Sequence, residues 1–293
     1  MTCVRTAWLA LDGNTVSLED ATRGYFCSSL DLGAPTVRDV MNNRPDQDGA
    51  DDRTQYLGSR AVTADITALA GAGAQIDAVP GLFAPFMAPN TRPILHYVLD
   101  RPGAPERVLT VRPEAFAWAI VGDNQRDIQL QFVAADPIAR DPTQRSATAW
   151  AGSSTGGGRS YPLTFPRAYG AGGVAMVGII HSNGDLPVRP LLRIYGPIGG
   201  ATVHLTPPSG VPFVVAFLAG FTIAAGAWVD VDTIAHTAYY NGDPTQNMLA
   251  QIDWTQMAWP VLPAGVDNTF TLAGAGTTGV SQVQAFWTDG YYV

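Results

Sequence analysis

Lysine is missing from all 293 residues; the 17 basic side chains are arginines without exception. GC-rich coding, which favours Arg, Ala and Gly, accounts for the bias. The arginines are also confined in place. All lie at or before Arg193, alongside 19 acidic residues, whereas residues 194–293 hold six Asp and no Arg. An acidic, arginine-free third repels phosphate and argues against sequence-specific recognition of DNA or RNA. Cysteine is scarce as well. Cys3 and Cys27 match no metal-ligand spacing and give no disulfide framework, so both are expected as free thiols. A leader is not expected, because Asp12 and Gly13 interrupt the apolar core that a signal peptide needs. Val211 to Val229 runs for 19 residues without a charge, but Pro212, Gly220 and Gly226 break it and Asp230 and Asp232 follow directly. It reads as two buried strands with a turn at Gly220, not as a membrane span.

What remains is globular: 46% hydrophobic and 14% charged residues, with 31 Gly and 22 Pro that favour turns and extended segments over long helices. The length suits one large domain or two ordinary ones, and either buries a full core without a disulfide or metal staple.

Along the chain, Trp8–Leu11, Asp12-Gly13 and Asn14–Leu18 make a hairpin signal with a primed turn. Asn42–Arg53 is polar and acidic and reads as a solvated loop, protease-sensitive when free. A short helix is compatible with Val79–Ala88, where Leu82, Phe83, Phe86 and Met87 recur at helical spacing. Arg107–Arg112 reads as a strand. In Asp127–Val133, Ile128, Leu130 and Phe132 alternate with Asp127, Gln129 and Gln131, the period of a half-buried strand. Residues 141–173 turn to Ser, Gly and Pro. The expected division is therefore an N-terminal β domain over 1–145, a linker or crossover over 146–173, and a C-terminal β-sandwich over 174–293. Nine short strand candidates fill that last part, and their rhythm suggests a jelly-roll type of sandwich. They are Val174–His181, Leu191–Tyr195, Ala201–Thr206, Phe213–Leu218, Phe221–Ala225, Trp228–Asp232, Ala235–Tyr240, Thr269–Leu272 and Val280–Trp287.

No catalytic constellation emerges. Gly274-Ala275-Gly276-Thr277-Thr278-Gly279 matches the dinucleotide fingerprint letter for letter, but a strand follows it instead of a helix, so it reads as a turn. The four histidines, His96, His181, His204 and His236, are scattered and form no metal set; His236 has Asp232 as its nearest pairing partner in sequence. Asp230 and Asp232 share one face of a strand, which is the arrangement of a glycosidase pair but more commonly a solvated sheet face. Trp254, Trp259, Trp287, Tyr291 and Tyr292 serve as core, with sugar stacking as the alternative. No cofactor is implied.

The run Gly158-Arg159-Ser160-Tyr161-Pro162-Leu163-Thr164-Phe165-Pro166-Arg167, then Asn183-Gly184-Asp185, then Pro190 through Ile194-Tyr195-Gly196-Pro197 resembles the distal tail proteins of long-tailed phages. Tyr56-x-Gly58-x-Arg60, the Arg107–Arg112 strand, Gln129-Leu130-Gln131-Phe132 and Asp136-Pro137 stand in the order this family shows. So do Val229-Asp230, Asn241-Gly242, Trp259-Pro260-x-Leu262, Pro263-x-Gly265 and Asn268. The resemblance implies a mainly β, non-enzymatic virion protein assembled in the host cytoplasm. Its N-terminal domain would form a six-membered ring joining the tail tube to the tip proteins and leaving a channel for DNA. A galectin-like sandwich would project outward. Tyr56, Arg60, Arg107, Arg112 and Asp136 are the candidate assembly-interface residues. The alternative is a carbohydrate-binding sandwich that attaches to host-surface glycan. The strand motif His-x-Asn-x-Arg of lectins is incomplete here, since His181-x-Asn183 leads to Asp185.

Overall fold

The computed structural model describes residues 4–38, 42–43, 50–51, 56–70, 76–152 and 175–292. Strands make up 53% and helix 6%, so the mainly β expectation holds. The chain divides into two units, residues 1–142 with 291–293, and residues 143–290.

The first unit is two antiparallel sheets over one core. One sheet runs Asn14–Ser17, Val4–Leu11, Ile94–Leu99, Glu106–Thr110, Ala139–Arg140 and Gly290–Tyr291. The other runs Arg112–Gly122, Gln125–Ala134, Arg60–Leu69 and Tyr25–Asp31. The expected hairpin at its start is present: Asp12 and Gly13 carry φ of 50° and 81°, which lets two residues reverse a twisted ribbon. Alternation decides which side chains enter the core. Ile128, Leu130 and Phe132 are buried, while Asp127, Gln129 and Gln131 face outward. Leu9, Leu95, Tyr97 and Leu109 supply the other side of the core. The short helix Val79–Phe83, flanked by single 3-10 turns, buries Phe83 and Phe86 in the same cluster.

The Arg107–Arg112 stretch is a correction. It is not one strand: Glu106–Thr110 ends in the first sheet, Val111 is buried between the two, and Arg112 opens Arg112–Gly122 in the second sheet.

The second unit is a sandwich. One sheet runs Arg145–Trp150, Gln282–Trp287, Leu191–Tyr195, Trp228–Asp232 and Thr237–Tyr240. The opposing sheet runs Gly178–His181, Asp267–Ala275, Ile198–Thr206 and Phe213–Ala216, with Thr222–Ile223 also paired to Ile198–Thr206. Leu192, Ile194, Val229, Val231 and Val283 belong to the same core as Val203, Leu205, Val215 and Phe270. All nine expected strands are found here, with ends shifted by up to four residues. Glycine is required where backbones touch. A Cβ on Gly196 would stand 2.2 Å from the Ala224 carbonyl oxygen, and one on Gly184 2.3 Å from that of Gly290.

Two expectations about the junction are corrected. Residues 146–150, expected in a linker, belong to the strand Arg145–Trp150, which pairs along its whole length with Gln282–Trp287. The last residues do not stay with the sandwich; Tyr291 and Tyr292 belong to the first unit. Residues 153–174, which are most of the expected linker and the first residue of the expected sandwich, lie outside the described residues. So do Cys3 and most of Asn42–Arg53.

One local motif recurs as Asp20-Ala-Thr22, Asp243-Pro-Thr245 and Asp253-Trp-Thr255. In each, the Thr backbone N–H and hydroxyl both donate to the same Asp oxygen, at 2.6–2.9 Å for Asp20. The other two repeat the geometry at 2.6–3.0 Å. The Thr hydroxyl bond is the largest cause that holds all three carboxyls below their usual range.

Candidate assembly surface

The five candidate interface residues fall into different places. Arg60 and Arg107 are buried, with 0% and 2% of their surface exposed. Arg60 Nη2 donates to the Tyr292 carbonyl, and the Arg107 guanidinium lies 4.2 Å over the Tyr291 ring. Tyr97 sits beside both. Burial raises its phenol above the usual value, and the charges of Arg107 and Arg60 pull it partly back. These two arginines therefore tie the chain's end into the first unit; a side chain enclosed by its own protomer offers no surface to a neighbour. The Tyr56 side chain is outside what can be described; its backbone pairs in Tyr56–Leu57 with Val37–Arg38.

Arg112 and Asp136 do come together, along with Arg92 and Ser59, around a groove of 360 Å³. Asp136 is already engaged there, accepting from Arg140 Nη2 at 2.8 Å and from the Ile138 N–H at 3.1 Å.

The more telling surface was not anticipated. Arg112–Gly122 is an eleven-residue strand at the edge of the four-stranded sheet, and among the described residues it is paired only to Gln125–Ala134. The register sets Phe116 opposite Leu130 and Trp118 opposite Ile128, so these side chains share the core face of the sheet. Leu130 and Ile128 are 0% and 1% exposed, yet Trp118 is 51% exposed and Ile120, opposite Arg126, 64%. The core face thus continues past its own cover. The opposite face of this sheet is polar and tightly bonded. Asp65 accepts from Ser29 Oγ at 2.7 Å and from Gln129 Nε2 at 2.9 Å, and Asp127 accepts from Gln125 Nε2 at 2.9 Å. Ala115, Ala117 and Ala119 complete it from the edge strand. No period-two signal marked Arg112–Gly122, because its apolar residues lie on both faces. Its clue was the Phe116-Ala117-Trp118-Ala119-Ile120-Val121 run itself.

In the second unit, neither carboxylate of the suspected acid–base pair is free. Asp230 takes a two-pronged pair from Arg193, at 2.6 Å from Nε and 3.0 Å from Nη2, and accepts from Trp228 Nε1 at 3.2 Å. Asp232 accepts from the Ile234 and Ala235 N–H groups at 2.8 and 2.9 Å, closing a turn. His236 consequently stacks on Trp259 at 4.3 Å instead of pairing with Asp232. His96 contacts Glu106 and His181 contacts Asp267, each at 2.6 Å. Among the described residues, no three His, Cys, Asp or Glu converge as a metal set, and no helix is long and apolar enough to cross a membrane. The Gly274–Gly279 fingerprint is a strand end and a turn, with Gly276 at φ 65° and no helix after it.

These features define a two-unit β protein whose first unit carries an unfinished apolar edge. The fold is that of a known hub protein. The Dit protein (gp 19.1) of phage SPP1, described as a paradigm of the hub adsorption apparatus in Gram-positive-infecting phages, superposes with a TM-score of 0.61. The match covers 97% of this chain and 98% of that one at 14% identity. Chains of the phage p2 baseplate in its activated conformation, with Sr or with Ca, cover the same shares at 9% identity with a TM-score of 0.44. No protein-family model and no curated protein matches.

Proposed function

We infer that this chain is a distal tail hub protein of a long-tailed phage, a structural component of the virion tail that works by assembly and not by catalysis. The observation that carries this reading is the uncovered core face of Arg112–Gly122, on a fold shared with the SPP1 hub from end to end. Burying Trp118 and Ile120 against a second copy recovers about 2 kcal/mol each, and an open strand edge beside them supplies backbone partners. The opposite edge of the sheet, Tyr25–Asp31, is a different surface, so repeated edge-to-edge contact is heterologous, the kind that makes a ring where the rotation between copies closes. Six copies is the number the family resemblance implies. The alanine-rich, Asp-bearing polar face would line the opening. Its carboxylates repel phosphate and suit passage of DNA without adhesion. Partners would be the tail tube on one side and tip proteins on the other, in a tail assembled in the host cytoplasm.

Native mass spectrometry of the purified full chain, with negative-stain electron microscopy, tests this. A closed hexamer with a central opening is expected. A monomer at all concentrations, or an open filament, refutes it.

A further inference from the structure

We propose that the outer face of the five-stranded sheet in the second unit is a binding site for an uncharged saccharide chain. This goes beyond the hub reading and does not depend on ring formation. Register aligns the outward side chains into rows across the strands. One row is Trp150, Gln282, Tyr195 and Trp228. The adjacent row is Thr148, Gln284, Arg193, Asp230 and Tyr239. All nine are half-buried, while their neighbours in each strand, such as Ile194, Val229 and Val283, fill the core.

The polar row is held in place before any ligand arrives. The Arg193 guanidinium is fixed by its two bonds to Asp230 and by the Trp228 and Phe286 rings, 5.3 and 5.7 Å beneath it. The carboxylate in turn is the largest cause that raises the arginine's proton affinity, so the guanidinium stays charged. Three of the five guanidinium N–H groups are not used by Asp230. Beside them stand the Gln282 and Gln284 amides, each offering both a donor and an acceptor. Aromatic plates next to planar donor–acceptor groups match a pyranose, which presents apolar C–H faces and adjacent hydroxyls. At the usual strand spacing the aromatic row extends about 14 Å, enough for several sugar rings.

Charge selects the class of sugar. Arg193 is the only basic side chain in these rows, and Asp230 neutralises it; Asp232, one position along the same strand face, adds a further negative charge. The sheet's other arginine, Arg145 on the edge strand, is paired with Asp289 at 3.0 Å, so a polyanionic wall polymer meets little attraction here.

The test uses the full chain, whatever its oligomeric state. Tryptophan fluorescence and saturation-transfer NMR would be followed during titration with maltohexaose, cellohexaose, mannohexaose and xylohexaose. Poly(glycerol phosphate) forms the polyanion arm. Saturable binding of at least one neutral hexasaccharide is expected, weakened about tenfold by Trp228→Ala and by Gln284→Ala, a loss typical of one stacking or hydrogen-bonding contact. Trp254→Ala, a change to an exposed tryptophan off these rows, should leave it unchanged. No saturable response to any neutral sugar overturns the proposal. So does binding only of the polyanion, binding insensitive to both row variants, or binding lost in the Trp254 variant. A ring by microscopy combined with no sugar binding would leave the hub reading intact and remove this one.

Discussion

Trp118 and Trp228 are both partly exposed tryptophans on β-sheets, and they mean opposite things. Trp118 lies on the core side of its sheet, at an edge, level with residues that are fully buried one strand away. Trp228 lies on the outer side of a sheet whose core side is complete, and its indole N–H already has Asp230 as a partner. The first is core without a cover; the second is part of a finished polar surface. Exposure alone does not distinguish them, whereas the face of the sheet does. The first unit thus leaves apolar surface exposed at its edge, and the second is closed by its own two sheets.

The largest effect should come from breaking the unfinished edge. Trp118→Glu with Ile120→Glu should turn the oligomer into a monomer, losing about 2–4 kcal/mol per subunit contact, while circular dichroism keeps its β signature. Sedimentation velocity reads the outcome. An oligomer that survives would mean the edge is not the interface.

Next comes the chain's end. Tyr291→Ala removes a buried ring from over Arg107 and should destabilise the first unit by about 3 kcal/mol. Hydrogen exchange should show lost protection in Ile94–Leu99 and Glu106–Thr110 but not in Leu191–Tyr195. Equal loss in both units would erase the contrast between them. A change confined to the sandwich is Gly196→Ala. It pushes a methyl group into two backbone carbonyls, those of Ala224 and Ile223, and should cost about 1–3 kcal/mol as seen in the thermal midpoint.

The smallest effect concerns Cys27. Burial, with help from the Asp65 and Glu19 charges, raises its thiol to about 11. Because the neutral form is favoured in the folded chain, thiolate is scarce at neutral pH and appears only as pH rises toward that value. Iodoacetamide should label the native protein at pH 8 far more slowly than the urea-unfolded one. Equal rates would show that the side chain is open to solvent.

Much of the fold was legible because burial writes a period into the residues. Ile128, Leu130 and Phe132 declared a half-buried strand, and Asp12-Gly13 declared a tight turn. Arg145–Trp150 escaped because Ser-Ala-Thr-Ala carries little apolar contrast; its place is set by six paired residues of Gln282–Trp287, more than a hundred positions away. Arg112–Gly122 escaped for the opposite reason, being apolar on both faces. The burial of Arg60 and Arg107 was not legible because an arginine ordinarily signals surface. Only the return of Tyr291 and Tyr292 to the first unit makes an interior in which two guanidiniums find aromatic and carbonyl partners.

By itself, then, the order of residues determined the β class, the turns, nearly all the strands of the sandwich and the acidic, arginine-free last third. These depend on side-chain alternation and local backbone preference, which act over a few residues. Which strands lie side by side, which apolar face goes uncovered and which arginine meets which carboxylate were decided by the tertiary structure. Such pairings join residues tens to hundreds of positions apart, and no local pattern encodes the partner.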